Sequence, residues 1–396
     1  MMKGLRWHRF VFRALQIFLG PILKRKLNYH YEKAKPSGRP YIILANHNTD
    51  YDPFLIGMAF PDHTYFVASE HIFRWGLVSK IIHFMVAPIP RVKGTTEIYT
   101  AREILKRLKA GANVCMFAEG NRSFSGETER IFPATGKLIK RSGVNLITFR
   151  FEGGYFTSPR WSKTLRKGIM KGRVVREYTV EELKKMTWEE INSAIQNDLY
   201  VNEYEEQKKN PVEYKGKRLA EYLETALFLC PKCNGIDTLK SKDDRLFCKC
   251  GLDLKYNTYG YFVSNNDEKP PFETVLDWCR YQDGYIRDNL NRIRNMSPDE
   301  PIYTDADQTL WKADWGKNRI IGKGTLAMYN NRLVFKSDDK EFVFELKDIT
   351  DLQIIEQTVI AFATHDRQAY EIKCDYPRNA LKYRELIKYL KEGIVT

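Results

Sequence analysis

Cysteine is scarce: the 396 residues hold seven, too few for a disulfide-stapled scaffold. Four of them, Cys230, Cys233, Cys248 and Cys250, crowd into 21 positions, which reads as a metal site in a reducing compartment. Long apolar runs are lacking near the N-terminus too. The longest uncharged stretch there, Ala14 to Leu23, has ten residues and contains Gln16, Gly20 and Pro21, well short of the roughly 20 apolar residues that span a bilayer. Acidic residues are almost missing from the first 40 positions, where ten Lys or Arg face Glu32 alone. Residues 301–396 hold fifteen of each sign, so the net charge of +14 is largely a front-end feature and speaks against a protein that coats nucleic acid. With 43% hydrophobic and 13% aromatic residues the chain can bury a sizeable core, which excludes collagenous and low-complexity classes and suits two or three domains.

What is present at the front is a basic amphipathic helix. Over residues 5–23, Trp7, Phe10, Val11, Ala14, Leu15 and Phe18 recur at offsets of three and four, with Arg6, Arg9, Arg13 and Gln16 between them. The apolar stretch ends in Lys24-Arg25-Lys26 and not in a small-residue cleavage site, so a cleavable signal peptide is not expected. Interfacial attachment is: apolar side chains dip into one leaflet while cations meet anionic head groups, at about 1 kcal/mol per Lys or Arg near the surface. The rival reading is a helix packed on its own domain.

The chemistry begins with Tyr41-Ile42-Ile43-Leu44-Ala45, a short continuous apolar run that predicts a strand buried on both faces. It leads into Asn46-His47-Asn48-Thr49-Asp50-Tyr51-Asp52-Pro53, where Pro53 suits the first position of a helix and Asp52 its N-cap. On a straight helix His47 and Asp52 would lie about 140° apart, but a strand-to-helix turn can fold the carboxylate back to the imidazole. Such a pair is a competent general base. Alone, a histidine and an aspartate with four residues between them more often mean a helix cap and a loop hydrogen bond. A helix is expected over residues 97–109, then a second buried strand, Asn113-Val114-Cys115-Met116-Phe117, running into Ala118-Glu119-Gly120-Asn121-Arg122-Ser123. A glycine lets backbone approach a ligand, and a neighbouring guanidinium suits bidentate phosphate recognition. Between these stations a proline-stiffened segment, residues 87–94, offers Arg91 and Lys93.

Taken in this order, the three stations resemble the glycerolipid acyltransferase family, the 1-acyl-glycerol-3-phosphate and related lysophospholipid acyltransferases, over about residues 29–210. Asn46-His47 with Asp52 resembles the first block, Arg91 the arginine of the second, and residues 117–123 the third, usually Phe-Pro-Glu-Gly-Thr-Arg-Ser. The resemblance implies that His47 is the general base, Asp52 its partner, and that Arg91, Glu119, Gly120 and Arg122 bind the phosphate of the acyl acceptor. It also implies a thioester donor, acyl-coenzyme A or acyl-carrier protein, and a lysophospholipid acceptor, most simply 1-acyl-glycerol-3-phosphate converted to phosphatidic acid; another lysolipid or glycerol 3-phosphate is the alternative. Three departures bear on acceptor identity: Ala118 stands for proline, Asn121 for threonine, and the fourth block, near residues 144–149, lacks its proline.

Cys230-x2-Cys233 and Cys248-x-Cys250 bracket 14 residues, so four thiolates can converge on one structural zinc ion with zinc-ribbon spacing. An iron site or unmetallated thiols are the rivals, and a catalytic zinc would lack an open ligand position. Residues 230–262 carry six cations and four acids, too thin a surplus for a nucleic-acid reader. A helix is expected over 272–294, then strands at 324–329, 332–335, 342–346 and 368–372 and a helix over 379–391. This resembles, by pattern only, a pleckstrin-homology-like or GRAM-like barrel. Cys115, Cys279 and Cys374 are expected in the core, and His63, His71 and His83 in structural roles. The expected whole is an α/β acyltransferase domain with a mixed sheet flanked by helices, a small zinc ribbon and a mostly β, barrel-like C-terminal domain: 1–28, 29–215, 225–262 and 270–396. It would work peripherally at the cytoplasmic face of a membrane carrying anionic lipids, without nucleic acid. A non-catalytic membrane or zinc-ribbon adaptor is the competing class.

Overall fold

A computed structural model describes residues 4–69, 77–91, 98–264, 269–314 and 317–392. The described residues up to Gly216 form one unit; those from Lys217 onward form a second, which also takes in Trp161–Lys163.

In the first unit, helix α1 (Leu5–Leu27) leads into strand β1 (Tyr29–Tyr31). There follow β2 (Tyr41–Ala45), α2 (Asp52–Ala59), β3 (Thr64–Ser69), α3 (Leu77–Val86), β4 (Ile89–Arg91), α4 (Ile98–Lys109) and β5 (Asn113–Phe117). The unit continues through α5 (Pro133–Ser142), β6 (Asn145–Glu152), α6 (Gly154–Thr157), β7 (Met170–Tyr178), α7 (Val180–Lys185), α8 (Trp188–Leu199) and α9 (Glu203–Lys209). Seven strands make one mixed sheet in the order β1-β7-β6-β2-β5-β3-β4. The run β6-β2-β5-β3-β4 is parallel, and β7 opposes β6.

The central strand is buried on both faces, as its unbroken apolar run predicts, because helices cover each side. Ile42 and Leu44 join a core with Ile104 and Leu108 of α4, Ile139 of α5 and Ile191 and Ile195 of α8. Tyr41, Ile43 and Ala45 point the other way, into a core with Leu23 and Leu27 of α1 and Leu55 and Ile56 of α2. The period of two along β2 thus sorts its side chains between two layers.

Helix α1 carries apolar side chains on two faces where the sequence suggests one. Leu5, Val11, Phe12, Leu23 and Leu27 are buried against the unit, and the Gln16 amide nitrogen donates to the carbonyls of Gly57 and Phe60 at 2.6 and 3.0 Å, fastening α1 to α2. Trp7, Phe10, Ile17, Phe18 and Ile22 are exposed, Phe18 at 75%. Of the six residues that define the sequence stripe, only Val11 is buried. No helix among the described residues is long and apolar enough to cross a membrane.

The second unit opens with a four-stranded antiparallel sheet of β8 (Leu239–Lys242), β9 (Arg245–Cys248), β10 (Asp253–Tyr256) and β11 (Phe262–Ser264), in the order β11-β10-β9-β8. Helix α10 (Val275–Arg294) follows. Seven antiparallel strands come next: β12 (Tyr303–Asp314), β13 (Lys317–Met328), β14 (Arg332–Ser337), β15 (Glu341–Glu345), β16 (Ile349–Ile355), β17 (Val359–Thr364) and β18 (Ala369–Cys374). They pair in the order β15-β14-β13-β12-β18-β17-β16, and α11 (Leu381–Glu392) closes the unit. A buried polar knot ties α11 down: Lys382, 1% exposed, pairs with Asp237 and Asp305, and Asp305 also accepts from the Tyr383 hydroxyl at 2.6 Å. Cys115 is fully buried as expected, whereas Cys279 and Cys374 are half-buried. His63 is buried between His8 and Tyr65, while His71 lies outside the described residues.

Candidate active site

The site lies where parallel strands β2 and β5 end side by side. Ligands of open α/β sheets bind at such carboxyl ends, because the loops diverge there and leave a crevice. The ladder of β2 and β5 is extended by one bond from the Ala118 N–H to the Ala45 carbonyl, 3.1 Å. The proline common at this place in the resembled family could not make that bond, so alanine here draws the two loops together. On the other side, Asn46 replaces a rung of the sheet with its side chain: its amide donates to the Phe151 carbonyl at 2.9 Å and accepts from the Phe151 N–H at 2.8 Å.

His47 follows directly, and its Nδ1 lies 2.8 Å from Asp52 Oδ2. The same Asp52 oxygen accepts from the backbone N–H groups of Asn48 and Thr49 at 2.7 and 2.9 Å, and the other from the Thr49 hydroxyl at 2.6 Å. Asp52 is therefore not the N-cap of α2, as the sequence suggests. It is the helix's first residue, with its carboxylate turned back into the preceding loop, where it folds residues 47–51 around itself. The imidazole stacks on Phe117 from β5, centroids 4.2 Å apart at 15°, and its side chain is 20% exposed. With Nδ1 held as donor by a fully buried carboxylate, Nε2 is left as the basic nitrogen on the accessible side.

The third station contributes in ways the sequence expectation does not separate. Glu119 is 2% exposed and turned to backbone: one oxygen accepts from the backbone N–H of His47 and the other from that of Glu129, both at 2.8 Å. Burial pushes its carboxyl up to about 8, against the pull of those two N–H donors. Gly120 has φ +72, and a Cβ there would come within 2.7 Å of Arg91 Nη1. Glycine thus serves both a left-handed turn and the close approach of a guanidinium. Arg91 stands at the end of β4, its Nη1 3.4 Å from the Gly120 carbonyl. Lys93 lies outside the described residues.

Arg122 is engaged by protein acceptors: Nε donates to the Asn48 carbonyl at 2.8 Å, Nη1 to Asp50 at 3.0 Å and Nη2 to the Ser158 carbonyl at 2.5 Å. It clasps the His47 loop from outside as Asp52 does from within.

Glu203, on which sequence reasoning is silent, completes the support. Its buried carboxylate accepts from Gly153 N–H at 2.7 Å and from the Asn48 side-chain amide at 3.1 Å, and burial pushes it up to about 7. An acid in the first turn of α9, after the Asn202 cap, is an ordinary helix start, so nothing local distinguishes it.

The Acyltransferase family model matches residues 26–152, a stretch that contains His47, Asp52, Arg91, Glu119, Gly120 and Arg122. The first unit therefore carries an acyltransferase domain. Among solved structures, the chain is similar to the 1-acyl-sn-glycerophosphate (LPA) acyltransferase PlsC from Thermotoga maritima, at 19% identity over 53% of this chain and 84% of that one, TM-score 0.44. Also similar are a chain of the 8S snRNP assembly intermediate, 16% identical over 24% of this chain and 87% of that one, TM-score 0.20, and Dcp1p, 17% identical over 26% and 94%, TM-score 0.20. No curated protein matches.

Proposed function

We propose that the protein is a membrane-associated O-acyltransferase that moves a fatty acyl group from acyl-coenzyme A or acyl-carrier protein to the free hydroxyl of a lysophospholipid, with 1-acyl-glycerol-3-phosphate as acceptor and phosphatidic acid as product. The observation that carries this reading is the 2.8 Å contact between His47 and Asp52 at the end of β2, within the acyltransferase domain. Nε2 takes the acceptor's hydroxyl proton as the oxygen attacks the thioester carbonyl. The ester C–O bond forms, the C–S bond breaks, and the imidazolium returns the proton to the departing thiolate. Asp52 stabilises the imidazolium in between. No protein nucleophile is needed, because the substrate brings its own hydroxyl. Arg91, held at the edge of the site by Gly120, is the cation best placed to meet the acceptor phosphate.

Attachment to the membrane is supported by the exposed face of α1, which continues in Ile81 and Phe84 of α3; the Trp7 and Phe84 rings are 5.2 Å apart. Cations Arg6, Arg9, Arg13 and Lys24–Lys26 flank it, as an anionic cytoplasmic leaflet requires. The Lys26 ammonium lies 2.9 Å from the hydroxyl of Tyr51, in the His47 loop, so a bilayer under α1 would adjoin the site. The reading is tested by thiol release from acyl-coenzyme A or acyl-carrier protein with lysophosphatidic acid, glycerol 3-phosphate or lysophosphatidylethanolamine, beside folded His47→Ala. Acceptor-dependent release lowered by at least about 10²-fold in the variant is expected. No release with any pair, or equal release by His47→Ala, would leave a non-catalytic adaptor.

A further inference from the structure

The four cysteines of the second unit belong to no part of the acyltransferase site, yet they are brought together. Two tight turns present them. In the first, the Cys230 N–H donates to the Gly235 carbonyl and the Asn234 N–H to the Cys230 carbonyl, at 3.0 and 2.9 Å. In the second, the Cys248 N–H donates to the Leu252 carbonyl and the Gly251 N–H to the Cys248 carbonyl, at 2.9 and 3.0 Å, with Gly251 at φ +90. The Sγ atoms of Cys230 and Cys250 stand 3.6 Å apart, those of Cys233 and Cys248 3.9 Å, and all four lie within 4.8 Å of one another. Four sulfurs each about 2.3 Å from a central ion form a tetrahedron with edges of about 3.8 Å. The four thiols therefore fit a single tetrahedral ion.

We propose that Cys230, Cys233, Cys248 and Cys250 bind one zinc ion, and that this ion folds residues 229–264 onto helix α10. The strands β8 to β11 are only three or four residues long, too short to hold together by their own apolar faces. From outside, Lys382 of α11 pairs with Asp237 and residues 219–222 bond to the β8–β9 turn and to Ser241; α10 adds Gln282, which accepts from the N–H groups of Phe228 and Leu229 at 2.6 and 3.1 Å, the Trp278 indole, which donates to the Leu229 carbonyl at 2.9 Å, and the Tyr281 hydroxyl, which donates to Asn234 at 3.0 Å. The α10 hydrogen bonds fall on the first turn or just before it, and Trp278 also packs on Phe262 of β11, ring centroids 5.4 Å apart. The second turn, 248–251, is reached through the sheet and through the ion, which closes the loop between them. Four thiolates leave no open position, so the ion is structural. One ligand, Cys233, is exposed, and zinc, which has no redox chemistry, tolerates that where iron would cycle.

The test uses the full-length protein. Elemental analysis of the purified wild-type chain is expected to give one zinc per chain, which a mercurial thiol reagent releases stoichiometrically, and Co²⁺ exchanged into the site should give the intense sulfur-to-cobalt charge-transfer absorption of a tetrathiolate. On release, hydrogen exchange should quicken across 229–264 and the first turns of α10 while residues 41–45 and 113–117 keep their protection. Cys233→Ser and Cys250→Ser should each abolish retention of the ion. Iron in place of zinc, a wild-type chain without bound metal, a cobalt spectrum lacking thiolate bands, or unchanged exchange after release would each overturn the proposal. Because the metal, spectral and exchange readings are all made on the wild-type chain, misfolding of a serine variant cannot imitate any of them.

Discussion

The carboxylate of Glu119 holds the backbone N–H of His47 at 2.8 Å, while the imidazole of the same residue is held by Asp52. His47 is thus fixed at both ends, its main chain from the loop after β5 and its side chain from the first residue of α2. Under the proposed function this makes Glu119 a positioning residue for His47. Above about pH 8, where Glu119 is ionised, replacing it with glutamine would set an amide N–H against one of two buried N–H donors, at about 1–3 kcal/mol. Steady-state kinetics of Glu119→Gln should show kcat falling with the acceptor KM unchanged. A raised KM with kcat intact would return Glu119 to the phosphate pocket.

The buried acids also set a pH dependence of stability. Glu119 and Glu203 are raised to about 8 and about 7 from an ordinary value near 4.5, so the folded chain holds protons that the unfolded chain has lost. Their stabilising contribution is complete below about pH 4.5 and declines as pH rises through 7 and 8. Urea midpoints between pH 5 and 9 should fall with pH in the wild type and fall less in Glu203→Gln. An equal slope in both would disprove the assignment for Glu203.

Gly120 and Arg91 make a separable pair. A methyl group at 120 meets the left-handed backbone, at roughly 1–2 kcal/mol, and displaces the Arg91 guanidinium. Gly120→Ala and Arg91→Ala should both raise the KM for a phosphorylated acceptor. Arg122→Ala, by freeing the Asn48 carbonyl, should instead lower kcat. Comparing acceptors with and without phosphate distinguishes the two, since only the first effect vanishes when the phosphate is absent.

For α1, the two faces predict opposite behaviour. Phe10→Ser, Ile17→Ser and Phe18→Ser together alter exposed side chains, so the thermal midpoint should hold while co-sedimentation with anionic vesicles is lost. Phe12→Ser strikes the buried face, where large-to-small changes cost about 3–5 kcal/mol, and should unfold the unit before it affects binding. Wild-type binding that ignores salt, or survives the triple change, would remove the interfacial role.

Much of the molecule is legible in its sequence because it depends on local pattern. The continuous apolar run of residues 41–45 announces a strand covered on both faces, and periodicity places α10, α11 and strands β14, β15 and β18 to within a few residues, but only the second half of β13. The cysteine spacing alone identifies four residues whose sulfurs the fold gathers within 4.8 Å. Strands β12 and β16 are not legible, since their alternation is broken by polar residues and by register shifts that only pairing partners accommodate. The His47 and Asp52 motif could be read, but not the direction in which Asp52 turns. That is decided by two backbone N–H groups and a hydroxyl in the loop, which together outweigh its use as a cap.

What tertiary structure alone decides is which protein atoms each charged group meets. Sequence determines that Arg91, Glu119, Arg122 and Glu203 are present; burial and distance bring Glu119 and Glu203 to the His47 loop, set Arg122 against the Asn48 and Ser158 carbonyls and the Asp50 carboxylate, and bring Arg91 to the Gly120 carbonyl. The reason is physical: a hydrogen bond joins atoms that are neighbours in space, and residues 47, 119 and 203 become neighbours only when β2 and β5 lie side by side and α9 folds back beside them.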